Sequence, residues 1–199
     1  RELEFSMDRI SKNSNGYRLE SQIREAYGRV VYTETCHYKM IDRLQGYYDT
    51  LKLCRIILSA ATTSGILASI VFDKECASII GAILAFILLV INTYFKEADW
   101  INKITNHQHT ANQLWKIREA YVSLLTDFDI LDGYRIRLRR DELQQMTGII
   151  YDEAPNTYSQ SYKEAQIALK FNEEQTFSDD EIDHLLPNSL RRNTRHIID

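Results

Sequence analysis

Two uncharged stretches, IILSAATTSGILASIVF (Ile56–Phe72) and CASIIGAILAFILLVINTYF (Cys76–Phe95), flank the charged triplet Asp73-Lys74-Glu75. They hold 17 and 20 residues. As helices they extend roughly 25 and 30 Å, about the thickness of a bilayer's hydrocarbon layer. Three charged residues between them leave room only for a tight reversal, hence an antiparallel helical hairpin. The second stretch contains Ala85-Phe86-Ile87-Leu88-Leu89-Val90-Ile91, and a helix apolar on every side must be enclosed on every side. The competing reading is a hairpin buried in a soluble bundle, because Ser59, Thr62, Thr63, Ser64 and Ser69 make the first stretch only moderately apolar. Against it, the remainder of a 199-residue chain is too polar to jacket two such rods. The flanks also carry interfacial aromatics, with Tyr47 and Tyr48 before the first segment and Tyr94, Phe95 and Trp100 closing the second. The hairpin is read as transmembrane.

Composition narrows the rest. Two prolines and seven glycines among 44% hydrophobic residues predict an all-α chain, and a net charge of −4 offers no basic field for nucleic acid. Cys36, Cys54 and Cys76 are odd in number and lack paired metal spacing, which fits a reducing compartment. No secretory signal is expected, since the first apolar run begins beyond residue 50. Arg1 to Ser6 are read as additions ahead of a natural start at Met7. Residues 1–16 form a polar N-terminal tail, and Asn13-Ser14-Asn15-Gly16 predicts a turn ahead of the first long helix.

From Tyr17 to Arg55, Ile23, Tyr27, Val30, Glu34, His37, Ile41, Leu44, Tyr48 and Leu51 follow alternating steps of four and three, a coiled-coil seam with polar members in its middle. That helix is expected to run straight into the first apolar segment. After the hairpin, Trp100, Ile104, His107, Ala111, Leu114, Arg118, Tyr121, Leu125 and Phe128 repeat the pattern within a helix from Lys96 to Phe128. Folding about Lys74 sets Glu34 at the depth of residues 114–118, so a partly buried Glu34–Arg118 contact is predicted, one that fixes register more than it stabilises. The alternative is two unrelated solvated charges. Beyond a break at 127–133, with Gly133 as terminator, helices are predicted over Arg135–Tyr151 and Ser159–Phe171. Another starts at Ser178 and stops before Pro187, with acidic residues at the positive end of its dipole. Arg43, Lys52, Arg55, Lys96 and Lys103 crowd the open end of the hairpin while its turn has only Lys74, which places both termini in the cytoplasm.

Chemistry is sparse. His107 and His109 lie about 200° apart around a helix and cannot share a metal from one face. His37 and Cys36 face different directions, giving no activated thiolate. No phosphate loop, nucleophile elbow or zinc motif occurs, so no enzyme activity, catalytic residue, metal or cofactor is expected. Asp179, Asp180, Glu181 and Asp183 read as a helix-start charge cluster. Arg135, Arg137, Arg139 and Arg140 read as a solvated face, with a phosphate-bearing ligand or lipid headgroup as the alternative. Inside the hairpin, Ala61, Gly65 and Ser69, and Ala77, Gly81 and Ala85, recur at the four-residue spacing that lets helix backbones approach closely. Ser59, Thr62, Thr63, Ile66 and Ser69 form a weakly polar stripe, a candidate pore lining, although such hydroxyls can also satisfy themselves on their own backbone. Asn92 is a candidate partner between helices.

The helix with Tyr47-Tyr48-Asp49-Thr50-Leu51, then Arg55-Ile56-Ile57-Leu58-Ser59-Ala60-Ala61-Thr62-Thr63, the short turn and the span ending Asn92-Thr93-Tyr94-Phe95 resemble the SLATT superfamily. These are two-transmembrane effectors associated with SMODS nucleotidyltransferases and SLOG sensors in bacterial defence. His107-Gln108-His109-Thr110-Ala111-Asn112-Gln113-Leu114-Trp115 resembles that family's segment after the second span. The likeness covers about Tyr17 to Tyr151, leaving 152–199 as a C-terminal helical extension and tail. It implies a multi-pass inner-membrane protein that oligomerises to form a pore, or perturbs the membrane, when a partner signals infection. Its partners would be the bilayer, further copies of itself and a separate sensor or nucleotide-signal producer. A non-conducting membrane adaptor that recruits a cytoplasmic partner is the alternative.

Overall fold

The computed structural model describes residues 2–72, 75–187 and 191, with side chains left undescribed at 2–15, 66, 68–72 and 75–77. Among the described residues there are six helices and no strand: α1 (Glu2–Phe72), α2 (Glu75–Glu97), α3 (Trp100–Thr126), α4 (Gly133–Glu153), α5 (Ser159–Lys170) and α6 (Asp179–Leu185). The all-α expectation holds. α1 has 71 residues, roughly 105 Å of unbroken rod, and every other long element packs back along it.

The turn expected at Asn13–Gly16 is absent, because α1 runs through it. Asn and Gly each weaken a helix by only about 1 kcal/mol or less, and no proline interrupts the stretch. The helix expected from Lys96 to Phe128 is interrupted instead at Ala98–Asp99, where Asp99 takes a left-handed φ of 47°. A short polar side chain tolerates that conformation, and Asp99 Oδ2 accepts a 2.8 Å hydrogen bond from Asn102 Nδ2. Gly133 does not end α3 but is the first residue of α4, whose N-cap Asp132 accepts from the backbone N–H groups of Tyr134 and Arg135. α4 ends at Glu153 because Pro155 drives Ala154 into the extended region, φ −67° and ψ 136°. α6 begins at Ser178 with a reciprocal Ser178–Glu181 capping box and stops before Pro187.

The apolar core sits in the body, away from the hairpin. Leu19, Ile23, Ala26 and Val30 of α1 pack with Leu114, Ile117, Tyr121 and Leu124 of α3 and with Ile136, Leu143 and Ile150 of α4. Most of the expected seam is buried here, including Ile41 and Leu44 further along α1. Thr35, Cys36 and Met40 are also buried on a second face of α1. α5 lies against α1 through buried Ser161, Ala165 and Ala168, with Tyr162 stacked 6.0 Å from Tyr32. Small residues on α5 let the two rods approach closely.

Candidate functional site

The two arms of the hairpin meet at their glycines. A Cβ built on Gly65 would lie 3.9 Å from Gly81 Cα, so the backbones are in near contact there, as close-packed helices without bulky side chains can be. Ala61 and Ala85 of the same spacings are exposed, while Thr62 is buried in the hairpin. Thr62 and Thr63 donate their hydroxyl protons to the carbonyls of Leu58 and Ser59 at 2.8 and 2.9 Å. Ser59 and Thr63 remain exposed, and the side chains of Ile66, Ser69 and Ala77 lie outside the described residues. Around this contact the apolar surface points outward. Ile56, Ile57, Ile79, Ile80, Phe86 and Leu89 are each more than half exposed. An 18-residue window beginning in the segment from Ser78 has a mean hydropathy of 2.3 with 6% of it buried.

An aromatic band marks the open end of the hairpin. Tyr48 lies 5.0 Å from Phe95, and Trp100 sits 6.3 Å from both Tyr47 and Tyr94. Two cations stack on it, Arg55 at 4.5 Å over Phe95 and Lys103 at 5.8 Å over Trp100. Amphipathic rings beside cations are suited to a boundary between hydrocarbon and water.

The polar seam residues come together within the body. Glu34, only 1% exposed, has both carboxylate oxygens 3.3 Å from Arg118 Nη1, but no donor is aligned on Oε2. The predicted Glu34–Arg118 contact is therefore present, yet incompletely satisfied. Burial pushes the Glu34 carboxyl above its usual range, Arg118 pulls it back, and Glu119 pushes it up again. One side of the contact is closed by Gln175, which accepts from Arg118 Nη1 at 2.6 Å and donates to Thr35 Oγ1 at 3.1 Å. Gln175 reaches in from a chain turn with φ 71°.

One turn along, His37 and His107 meet directly, Nδ1 to Nδ1 at 2.8 Å, both buried. A contact of that length between ring nitrogens requires a single proton between them, so the two rings carry different tautomers. A second proton on the facing nitrogens would break it. Burial, and then the charge of His107, holds the His37 pKa down to about 4, and burial lowers that of His107. His109 is exposed and takes no part. Among the described residues no group of three or more His, Cys, Asp or Glu is placed to hold a metal.

Sequence reasoning placed the four seam residues along α1 and α3 but missed the histidine pair. The signal was there: folding about Lys74 sets His37 opposite residue 111, one helical turn from His107. Gln175 had no signal, because it arrives from a loop after α5 whose path the periodicity of α1 and α3 does not constrain.

An apolar hairpin left bare at the end of a self-packed helical body is the build of a helical membrane protein with a large extramembrane part. Residues 19–181 match the model of SMODS and SLOG-associating 2TM effector domain family 4, and the chain belongs to that family of two-transmembrane effectors of defence systems. The match runs past Tyr151, where the likeness read from the sequence stops, and takes in α5 and the start of α6. Comparison with curated proteins and with solved structures gives no match.

Proposed function

We propose that this chain is a homo-oligomeric effector of a bacterial anti-phage system that opens a pore in, or otherwise perturbs, the inner membrane when a separate partner signals infection. The observation that carries the reading is the bare α2, whose apolar window is 6% buried. In water such a surface would drive aggregation, whereas in lipid it needs no further cover. The spans are 56–72 and 76–95, and the cations Arg43, Lys52, Arg55, Lys96 and Lys103 at the open end put both termini in the cytoplasm. Two helices enclose no lumen, so any conduit is built from several hairpins, with Ser59 and Thr63 among its lining residues. The partner acts on the body, where the Glu34–Arg118 and His37–His107 contacts make the α1–α3 seam imperfect and able to hold a second arrangement. Nucleic acid is not a partner.

Purified protein reconstituted in dye-loaded liposomes tests this. Release of dye is expected, alongside growth arrest on induced expression in bacteria. A rival reading, a non-conducting adaptor that recruits a cytoplasmic protein, draws support from the hydroxyl protons of Thr62, Thr63 and Ser64, which are all spent on their own helix. It calls for membrane fractionation with no dye release, and that result would retire the pore.

A further inference from the structure

We infer that the groove between the two arms of the hairpin, at its open end, is a binding site for one anionic phospholipid. The inference rests on the membrane reading above and adds a ligand to it. The groove encloses about 780 Å³ and is bordered by Lys52, Arg55 and Ile56 of α1 and by Leu88, Asn92 and Phe95 of α2. The spacing of 52, 55 and 56 on one helix, and of 88, 92 and 95 on the other, turns each set onto a single face. These two faces look at each other across the gap.

A second groove of about 670 Å³, between α1 and α5, shows what the first one lacks. There Lys39 and Arg43 each have a carboxylate, Glu174 at 2.9 Å and Glu164 at 2.6 Å. Among the described residues no Asp or Glu lines the hairpin groove, and neither Lys52 nor Arg55 forms an ion pair. Two neighbouring cations at the mouth of an apolar cleft therefore lack an anion. Arg55 is held in place without one: its Cζ lies 4.5 Å over the Phe95 ring, and Tyr48 backs that ring at 5.0 Å. Stacking occupies the face of the guanidinium and leaves its N–H edge free for phosphate oxygens.

The order of groups with depth matches a phospholipid. Cations sit at the mouth. Asn92 lies one turn, about 4.5 Å, deeper than Phe95, where the amide can donate to glycerol-ester oxygens. Leu88 and Ala60 lie alongside the path of an acyl chain, and the Thr63 and Ser64 hydroxyls on the same wall donate to the carbonyls of Ser59 and Ala60. A soluble phosphate compound would use the cations but leave the deeper, mainly apolar part of the groove empty, so the occupant is a lipid. Its negative headgroup is what Lys52 and Arg55 select.

The test uses the full chain reconstituted in bilayers of mixed phosphatidylglycerol and phosphatidylcholine, then released for native mass spectrometry. One retained phosphatidylglycerol is expected, in preference to phosphatidylcholine. Lys52→Gln with Arg55→Gln should lower that preference roughly thirtyfold, in keeping with two cations at a membrane surface. Lys96→Gln, at the same end of the hairpin but outside the groove, should leave it unchanged. Equal retention of the two lipids by the parent chain, or the same loss in Lys96→Gln, overturns the site. Carbonate extraction of each variant separates the two levels. A chain that washes out of membranes fails the hairpin and the site together, whereas an embedded chain with no preference for phosphatidylglycerol fails the site alone.

Discussion

Along α1 one continuous helix is built to two opposite plans. In the body Ile23 is 0% exposed and charges line the outside; in the hairpin Ile56 and Ile57 are each 58% exposed, while Thr62 is buried and Gly65 lies against Gly81 of the other arm. The backbone does not change between them, so the difference lies in the surroundings each half is made for. In water, burial of apolar side chains supplies the stabilisation. In lipid that driving force between helices is absent, and close approach at Gly65 and Gly81 takes its place. The same substitution should therefore have different consequences in the two halves.

The largest contrast concerns truncation of large apolar side chains. Leu114 is 0% exposed between α1 and α3, and Leu114→Ala should cost about 3 kcal/mol in denaturant unfolding of the detergent-solubilised protein. Phe86 is 66% exposed on α2, and Phe86→Ala should change stability by less than about 0.5 kcal/mol. A cost at Phe86 equal to that at Leu114 would break the comparison, because it would mean that protein, in the form of a neighbouring subunit, covers α2.

Acid should act on the body through its buried histidines. Above the ordinary value of 6.5 His37 is neutral in both the folded and unfolded chain, and its contribution to stability is complete. As pH falls from 6.5 toward about 4, the unfolded chain takes up the proton first, so stability is lost, in total about 3 kcal/mol. His107, lowered by burial, acts in the same direction. Glu34 has the opposite sign. Its raised pKa contributes stability that is complete below the usual 4.5 and is lost as pH rises through the folded value. The urea midpoint should fall between pH 7 and pH 5, and the double variant H37L/H107L should flatten that fall. A double variant whose midpoint falls as steeply as the parent's would show that the pair is hydrated and titrates normally.

Much of this architecture was legible because the chain repeats itself around one reversal. Steps of four and three from Ile23 to Leu51 and from Trp100 to Phe128 mark the facing stripes, and the triplet at 73–75 sets their register, so the Glu34–Arg118 contact could be read before any coordinates. What periodicity could not supply were single-residue decisions. Asp99 breaks the second arm by adopting a left-handed conformation, and nothing in its neighbours' spacing announces that. Gly133 reads in sequence as the end of the second arm, because a glycine after a helical run usually is one, whereas Asp132 caps α4 and makes Gly133 its first residue. Thr35, Cys36 and Met40 looked surplus to the seam because the element that covers their face, α5, docks through small residues with a weak apolar pattern. Tertiary partners of that kind leave little mark on the sequence of either helix.

Within the hairpin, contact distance sets the expected effect. The virtual Cβ at Gly65 stands 3.9 Å from Gly81 Cα, an ordinary van der Waals separation, so Gly65→Ala should be accommodated. Gly65→Leu has no such room and must separate the arms, with overpacking of about 1–3 kcal/mol. Under the effector reading, induced expression of Gly65→Ala should remain as toxic as the parent and Gly65→Leu should not. Equal toxicity of all three would remove close packing from the mechanism.

The smallest effect belongs to the ion pairs that tie α5 and the loop after it onto α1. Lys39 and Glu174 meet at 2.9 Å, but their side chains keep 21% and 43% of their exposure, so water and salt screen them. A double-mutant cycle on Lys39 and Glu174 should give a coupling of about 0.5 kcal/mol, fading in molar salt. The docking itself must then come from Ser161, Ala165 and Ala168, all buried against α1, and Ala165→Leu should loosen α5 far more than loss of the charge pair does. Limited proteolysis in the 171–178 loop reads this directly, since a displaced α5 exposes it. A coupling above 2 kcal/mol, or an Ala165→Leu variant as protease-resistant as the parent, would mean that charge and not shape fastens this part of the body. The Gln175 contacts to Arg118 and Thr35 would then depend on salt as well.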